Sequence, residues 1–349
     1  MSKLLQTKVN HLRRDKVLRI AMVGAGTMGQ VHSNSYINIK GGKLIAICDI
    51  QEEKAKKLAD IHCAAYYVNF DEMLKNEDID VVDICLPTYM HKEFVLKSIE
   101  NNKNVFCEKP IALNVGDAEE MVESAREKGV KFSVGHVVRF FPAYEAAIRT
   151  IESGKIGTPK LIRTTRTGSY PSWGWRDWYG NYDLSGGPLL DLIIHDFDWI
   201  RHNFGDVERV YAKSLGNRKH GQDHCLVTLR LKNGAIVHSE GSWAYPSGSM
   251  FGTTFEIVGT DGQIEYDSRE SSPIKKHIKD KEGSKIVMES PLPADEEPYT
   301  KEIQEFIDSI IEGRKPKISG EDAIKALKIS LAAIESSKTG EAVVIGGGK

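Results

Sequence analysis

Short apolar runs alternate with segments of helical periodicity in the first part of the chain. Runs of strand type lie at Leu18–Val23, Leu44–Cys48, Val81–Leu86, Val105–Cys107 and Val130–Val134. The segments between them carry apolar residues in helical spacing, as at Phe94, Val95 and Ile99. Repeated strand–helix units predict an α/β fold with a doubly wound parallel sheet, which binds ligands at the carboxyl ends of its strands.

The pattern changes after Gly135 and predicts a second, α+β domain. Helices are expected at Pro142–Ser153 and Leu189–Phe204, and Gly168–Gly187 is expected to be a long loop. Strands are expected at Leu161–Thr167, Val207–Lys213, Leu226–Leu231, Ala235–Trp243, Thr254–Val258 and Gln263–Tyr266. Two amphipathic helices near the C-terminus are expected to pack back on one of the domains. Such a meander leaves one sheet face open, and a partner subunit is a candidate to cover it.

Composition narrows the classes of partner. The 349 residues carry a formal net charge of −2, which argues against a nucleic acid or a membrane surface as the main partner. The five cysteines include no C-x-x-C pair, so we expect neither a metal site nor a disulfide framework. Residues 1–16 lack the apolar core of a signal peptide, so a flexible lead-in and a cytoplasmic location are expected.

A glycine motif follows the first apolar run at once. Gly24-Ala25-Gly26-Thr27-Met28-Gly29 fits G-x-G-x-x-G between a strand and a helix, and it predicts a dinucleotide site that includes Thr27 and Met28. Asp49 ends the second run, where a carboxylate accepts hydrogen bonds from ribose hydroxyls and repels a 2′-phosphate. No arginine follows Asp49 directly, so NAD is preferred over NADP. The alternative is that Asp49 only caps the next helix.

The later strands end in polar residues. Pro87 and Thr88 follow the third run, and Glu108 and Lys109 follow Val105–Cys107 before Pro110 stops the strand. The carboxyl ends of parallel strands share one edge, so these residues are predicted to lie on the cofactor edge. A lone lysine in such a turn is more often a solvated surface charge, which is the alternative for Lys109.

Two features of the second domain suggest a ligand. The loop Gly168–Gly187 combines rings such as Trp173 with Arg176, which suits a polyhydroxylated ligand, although oligomer contact is an equally available use. Asp191 and His195 stand four apart in the predicted helix, so they share one face. They could also be an ion pair that merely supports the helix, or half of a metal site.

Together these motifs resemble one enzyme family. Gly24-x-Gly26-x-x-Gly29, Glu108-Lys109-Pro110 and Asp191-x-x-x-His195-Asp196, in this order, are similar to those of the glucose-fructose oxidoreductase and inositol dehydrogenase (Gfo/Idh/MocA) family. The resemblance covers nearly the whole chain. It implies a Rossmann domain followed by a domain with a large open, mostly antiparallel sheet that often forms a homodimer or homotetramer interface.

The resemblance also implies roles for individual residues. It carries catalytic roles onto Lys109, Asp191 and His195, matches Pro87, Thr88 and His91 to a segment near the cofactor, and places Arg139 in a region that often lines the substrate pocket. The domains expected are a lead-in at 1–16, a Rossmann domain at 17–138, a substrate and oligomerisation domain at 139–319, and a C-terminal segment at 320–349 that packs back on the two domains.

The residue types fit the oxidation of a secondary alcohol of a cyclic polyol or sugar. His195 can accept the hydroxyl proton, Lys109 can donate to the reacting oxygen, and Asp191 can orient His195 or hold a neighbouring hydroxyl. Two alternatives stay open. One is an NAD-dependent glycosidase that works by transient oxidation and elimination, and the other is a non-catalytic NAD-binding sensor.

Overall fold

The chain folds into two compact units. The computed structural model describes residues 17–217, 222–280, 283–289 and 297–346, so the expected lead-in at 1–16 lies outside the described residues. The first unit contains 17–137 and 297–324 of the described residues, and the second contains those between 138 and 289 together with 325–346.

The first unit is built on a six-stranded sheet whose neighbouring strands are all parallel. Its strands are β1 Leu18–Val23, β2 Gly42–Cys48, β3 Ala65–Tyr67, β4 Val81–Ile84, β5 Asn104–Glu108 and β6 Phe132–Gly135. Its first five helices are α1 Thr27–Tyr36, α2 Glu52–His62, α3 Phe70–Asn76, α4 His91–Glu100 and α5 Val115–Lys128. The strand order β3-β2-β1-β4-β5-β6 is that of a Rossmann sheet, with its switch point between β1 and β4.

The second unit is built on a nine-stranded mixed sheet. Its strands are β7 Pro159–Ser169, β8 Val207–Asn217, β9 Gln222–Leu231, β10 Ile236–Tyr245, β11 Gly252–Gly259, β12 Gly262–Asp267, β13 Ile274–Asp280, β14 Gly283–Glu289 and β15 Val343–Val344. They lie in the order β14-β13-β12-β11-β7-β10-β9-β8-β15. Only β7 and β10 pair in parallel among the described strands, so the sheet is mostly antiparallel and the predicted fold class is confirmed.

Three helices of the second unit precede β8, and the last of them is markedly shorter than the sequence pattern predicts. They are α6 Pro142–Glu152, α7 Tyr182–Ser185 and α8 Ile194–Phe204. The expected long loop at 168–187 contains a 3-10 segment, Trp175–Gly180, as well as α7. The expected helix Leu189–Phe204 is instead a π-helical turn, Pro188–Leu192, followed by α8, because Ile193 leaves helical geometry between them.

The end of the chain is divided between the units. Helix α9, Pro298–Glu312, belongs to the first unit, where Ile303, Phe306 and Ile307 join the apolar core beside β1 and β2. Helix α10, Gly320–Thr339, contributes 320–324 to the first unit and its remainder to the second. The predicted second domain therefore extends too far, because the apolar face of α9 is buried in the Rossmann core. Among the described residues, no helix combines the length and apolarity needed to span a bilayer.

Candidate active site

The glycine loop between β1 and α1 has the shape that a dinucleotide needs. Gly24 adopts φ +97°, a left-handed conformation that favours glycine. A Cβ on Gly29 would lie 1.9 Å from the Gly24 carbonyl oxygen, so only glycine allows the helix to approach the loop this closely. A Cβ on Gly26 would meet nothing within 4 Å, which leaves open space above the loop where a pyrophosphate fits. These residues fit an NAD pyrophosphate.

Asp49 follows β2 and contacts the same loop. Its Oδ2 accepts a hydrogen bond from the Ala25 N–H at 2.7 Å, and its Oδ1 accepts one from the Gln51 N–H at 2.7 Å. Gln51 is the N-cap residue of α2, so the carboxylate supports that helix through a neighbour and also fixes the glycine loop. Each carboxylate oxygen has a further lone pair, so Asp49 can also accept from ribose hydroxyls.

The residues after β4 lie at the same edge of the sheet. Pro87 precedes a 3-10 turn, Thr88–Met90, in which Thr88 is buried. His91 is fully buried, and its Nδ1 and Nε2 lie 2.8 Å from the carbonyl oxygens of Pro110 and Leu86. Burial lowers the pKa of His91 despite these two contacts. His91 therefore connects the segment after β4 to the segment after β5 through the backbone.

Glu108 and Lys109 stand at the carboxyl end of β5. Glu108 is 5% exposed, and its carboxylate accepts hydrogen bonds from His32 Nε2 at 3.0 Å and from the Lys109 backbone N–H at 3.1 Å. Lys109 is only partly buried, whereas Glu108 faces inward. The two predicted cofactor residues therefore differ in their surroundings. The Glu108 side chain is buried and hydrogen-bonded inside the domain, whereas the Lys109 side chain is accessible.

In the second unit, Asp191 and His195 lie on either side of the break in the helix. Asp191 is in the π-helical turn and 8% exposed, and His195 is in the first turn of α8 and partly exposed. π-Helical turns occur frequently at functional sites because they reorient side chains that a regular helix would carry elsewhere. The prediction that the two residues share one face of a continuous α-helix is therefore wrong.

Two buried ion pairs flank these residues. The Arg139 guanidinium donates to Asp198 Oδ2 through Nε at 2.7 Å and to Oδ1 through its Nη2 at 2.5 Å. Arg166 on β7 pairs with Asp196 in the same way, with Nε 2.9 Å from Oδ2. The family resemblance implies a substrate contact for Arg139, but its side chain is 7% exposed and directed to Asp198. This geometry favours a role in positioning α8.

The aromatic segment places its two predicted ligand-binding residues at the surface. Trp173 is 58% exposed, and the Arg176 guanidinium carbon lies 4.9 Å from the centre of the Trp175 ring. Arg176 and Asp177 have φ values of 49° and 55°, which non-glycine residues rarely adopt. Trp178 and Tyr179 are buried in the core instead, so only part of the aromatic cluster can meet a ligand.

Comparison with known proteins identifies the class of protein. Residues 18–136 match the model of an oxidoreductase family with an NAD-binding Rossmann fold, and residues 144–265 match a GFO/IDH/MocA C-terminal domain. The chain is therefore an NAD-binding oxidoreductase, as predicted. It belongs to the Gfo/Idh/MocA family.

Several relatives match most of the chain. It is 30% identical over 329 residues to the myo-inositol 2-dehydrogenase of Thermotoga maritima, covering 91% of this chain and 96% of that one. It is 30% identical over 268 residues to the 2,7-anhydro-N-acetylneuraminate hydratase of Escherichia coli, covering 73% of this chain and 69% of the relative. The crystal structure of a probable dehydrogenase from Thermotoga maritima matches with a TM-score of 0.79 at 30% identity, over 94% of this chain and 98% of that one.

Some residues of the site carry no recognisable sequence signal. His32 and Asp83 are fully buried and hydrogen-bonded at 2.9 Å, although they stand in an ordinary helix and an apolar strand. Arg166 likewise lies in a strand of alternating residues. Their polarity at core-facing positions is the one signal that could have marked them, because buried charged groups require partners.

Proposed function

We propose that this protein oxidises a secondary alcohol of a cyclic polyol or sugar with NAD as the hydride acceptor. The observation that carries the proposal is the position of Lys109, a partly buried cation directly after β5 at the carboxyl edge of an NAD-binding parallel sheet. The 30% identity to a myo-inositol 2-dehydrogenase over most of both chains supports this substrate class.

Each proposed catalytic residue has one role. The Lys109 ammonium group donates a hydrogen bond to the reacting oxygen and stabilises the negative charge that develops there. His195 accepts the hydroxyl proton, for which the ordinary pKa of an imidazole is well suited. Asp191 orients His195 or accepts from a neighbouring hydroxyl. NAD, when bound, supplies the hydride acceptor.

The preference for NAD rests on Asp49. Its carboxylate lies against the glycine loop through the Ala25 N–H, so a 2′-phosphate on the ribose would meet a negative charge. The described residues directly after Asp49 are Ile50, Gln51 and Glu52, none of which offers a cation. The remaining proposed ligand contacts are Trp173 and Arg176, whose exposed side chains suit a polyhydroxylated substrate.

We also propose that the protein assembles as a homodimer or homotetramer through the nine-stranded sheet. Tyr211, Leu226 and Ile236, on the adjacent strands β8, β9 and β10, are 41%, 40% and 44% exposed. The strand registers place all three side chains on the same face of the sheet, interspersed with charged residues such as Lys213 and Glu240, and a second copy that covers this face would bury them.

A second candidate is the elimination or hydration of a glycosidic substrate without net oxidation. The relative named as a 2,7-anhydro-N-acetylneuraminate hydratase favours it, because that name describes no net change in redox state. The two candidates differ in one product. A dehydrogenase releases NADH in proportion to the ketone or lactone formed, whereas a redox-neutral enzyme does not.

The experiment is a screen of inositols, aldoses and their keto or lactone forms with NAD and NADH, read by NADH absorbance. Lys109→Ala is expected to lower kcat by roughly 100- to 1,000-fold, with NAD affinity retained. Lys56→Ala, on the exposed face of α2, is the matched control and should leave kcat unchanged. A Lys109→Ala enzyme with nearly wild-type kcat would contradict the role of this residue.

A further inference from the structure

His32 lies at the centre of a buried cluster below the cofactor edge. It is on the first helix, α1, three residues after Gly29, and it is fully buried. Its Nδ1 is 2.9 Å from Asp83 Oδ2 on β4, and its Nε2 is 3.0 Å from Glu108 Oε1 on β5. One imidazole ring therefore joins the dinucleotide helix to the two strands beside it.

The two contacts determine the protonation state of the ring. A carboxylate can only accept hydrogen bonds, so both ring nitrogens must carry a proton to donate to Asp83 and Glu108. An imidazolium also offsets two buried carboxylates, which would otherwise be strongly destabilising. Burial by itself opposes the charged form, yet the charge of Asp83 and its hydrogen bond raise the pKa of His32 well above its ordinary value.

The other groups that face His32 do not compete for this proton. Tyr36 on the same helix donates its hydroxyl to Asp83 Oδ2 at 2.9 Å. Burial and the charge of Asp83 raise the pKa of the Cys85 thiol to about 12, so it stays neutral beside His32 Nδ1. Burial raises the pKa of Tyr299 on α9, whose ring centre lies 6.1 Å from that of His32.

The cluster reaches Lys109 through Glu108. One carboxylate oxygen of Glu108 is bonded to His32, and the other accepts the Lys109 backbone N–H at 3.1 Å. The same carboxylate lies close to Gly135 on β6, where a Cβ would be 3.0 Å from Oε1. Burial opposes the charge on Glu108, but the hydrogen bond and charge of His32, with the charge of Lys109, lower its pKa. The Lys109 backbone is thus anchored to a carboxylate that His32 keeps ionised and oriented.

We propose that His32 is a positioning residue: a permanently charged buried imidazolium that orients Glu108 and so fixes the strand end from which Lys109 projects. The inference rests on the proposed function for the importance of Lys109 to turnover. The charge state of His32 does not depend on it. Nδ1 of His32, an Asp83 carboxylate oxygen and Cys85 Sγ also lie within 4.8 Å of one another, so the metal content of the protein is measured as well.

The first measurement is made on the wild-type protein. Nitrogen-15 NMR of the histidine side chains should show both ring nitrogens of His32 still protonated at a pH well above the ordinary pKa of an imidazole, with His32→Gln used to assign the signal. A neutral His32 ring at that pH would overturn the proposal, whatever the enzyme's activity. A stoichiometric bound metal in the purified protein would overturn it too, because a metal would take the place of the Nδ1 proton.

The second measurement is kinetic. His32→Gln is expected to lower kcat about 10- to 100-fold at saturating NAD, since a displaced catalytic group loses rate steeply. Without the imidazolium, burial raises the pKa of Glu108, so the variant's kcat should fall further as the pH is lowered through that new pKa. His277→Gln, which replaces a partly exposed histidine on β13 of the second unit, is the control and should keep the wild-type profile.

A His32→Gln enzyme with lower thermal stability but an unchanged kcat and pH profile would mean that His32 only stabilises the fold, and it would overturn the positioning role. If Lys109→Ala retained activity while His32 was found charged, the proposed function would fail and the charge state would stand. The double variant His32→Gln/Glu108→Gln removes one of the two carboxylates left without the imidazolium and leaves Asp83, so it should recover part of the lost stability without recovering kcat. Recovery of kcat would contradict the positioning role.

Discussion

Single buried carboxylates differ in whether the fold supplies them with a partner. Asp196 and Asp198 accept hydrogen bonds from buried arginine side chains. Asp83 accepts one from His32, the proposed imidazolium. Asp223 on β9 is equally buried, at 1% exposed, yet neither of its carboxylate oxygens has a hydrogen-bond partner among the described residues. Burial raises the pKa of Asp223 to about 6. This residue therefore destabilises the folded protein whenever it is ionised.

Asp223→Asn is expected to raise stability at neutral pH. The pKa of Asp223 in the folded protein exceeds the ordinary value for an aspartate, so the penalty is absent below about pH 4, grows between about pH 4 and 6, and is complete above about pH 6. The variant should gain about 1–2 kcal/mol at about pH 8 and nothing at about pH 4. Thermal unfolding at both pH values measures this gain.

Asp60→Asn is the control for that experiment, since Asp60 is exposed on α2 and its replacement should leave stability unchanged at either pH. An equal gain for Asp223→Asn at both pH values would mean that the amide stabilises the fold for a reason other than charge. A loss at neutral pH would mean that Asp223 has a partner in solution.

At the scale of elements, two glycines of the G-x-G-x-x-G motif allow protein stability and NAD binding to be tested separately. The Gly26 position has open space, whereas a Cβ at Gly29 would lie 1.9 Å from a backbone oxygen. Gly26→Ala should therefore fold normally but bind NAD about 10- to 100-fold more weakly, because the methyl group occupies the pyrophosphate approach. Gly29→Ala should lose about 1–3 kcal/mol of stability from overpacking, with weaker NAD binding as a consequence.

Titration calorimetry with NAD and thermal unfolding distinguish these two effects. Gly116→Ala in α5 is the matched control, because a Cβ there would lie 3.5 Å from its nearest neighbour, an ordinary contact in a helix. It should keep NAD affinity and be slightly more stable, since alanine loses less entropy on folding. If Gly26→Ala unfolded instead of binding weakly, the loop would be structural and the open space would not be the pyrophosphate site.

Elements of strict periodicity were predictable, and interrupted ones were not. The Rossmann strands follow from apolar runs that end at Gly24, Asp49 or Pro87, where turn chemistry is explicit. The sequence pattern predicts one helix from Leu189 to Phe204, because the apolar spacing continues across Ile193. No residue type in this segment is specific to a π-helical turn. The partners of Arg139 and Arg166 were unpredictable for another reason, since each lies 30 or more positions from its carboxylate.

At the scale of the whole molecule, the order of elements along the chain does not predict which unit each element belongs to. Helix α9 follows eight of the nine strands of the second sheet in sequence, and its position in the chain therefore suggests that it belongs to the second domain. Its apolar face, with Ile303, Phe306 and Ile307, is instead buried with Ile20 and Leu44 of the Rossmann sheet. A periodic pattern shows that a helix buries one face, but it does not identify the surface against which that face packs.

The proposed assembly can be tested at the exposed face of the nine-stranded sheet. Tyr211, Leu226 and Ile236 expose apolar surface there, and Leu226 lies between Lys213 on β8 and Glu240 on β10. Fully burying a leucine contributes about 1.5–3 kcal/mol, so the 40% of Leu226 that is still exposed can contribute about 1 kcal/mol in each copy. In a two-fold interface every residue occurs twice, so a single substitution acts twice on the dimer.

Leu226→Glu is therefore expected to weaken self-association by roughly 100- to 10,000-fold, because each copy loses an apolar contact and gains a charge that must be desolvated. Sedimentation velocity over a concentration series measures the shift toward monomer. Ile61→Glu, which replaces another exposed apolar residue with a charge but lies on α2 of the Rossmann unit, should leave the sedimentation coefficient unchanged. A Leu226→Glu protein that sediments like the wild type would exclude this face as the contact between copies, and a shift produced equally by Ile61→Glu would attribute it to general surface charge.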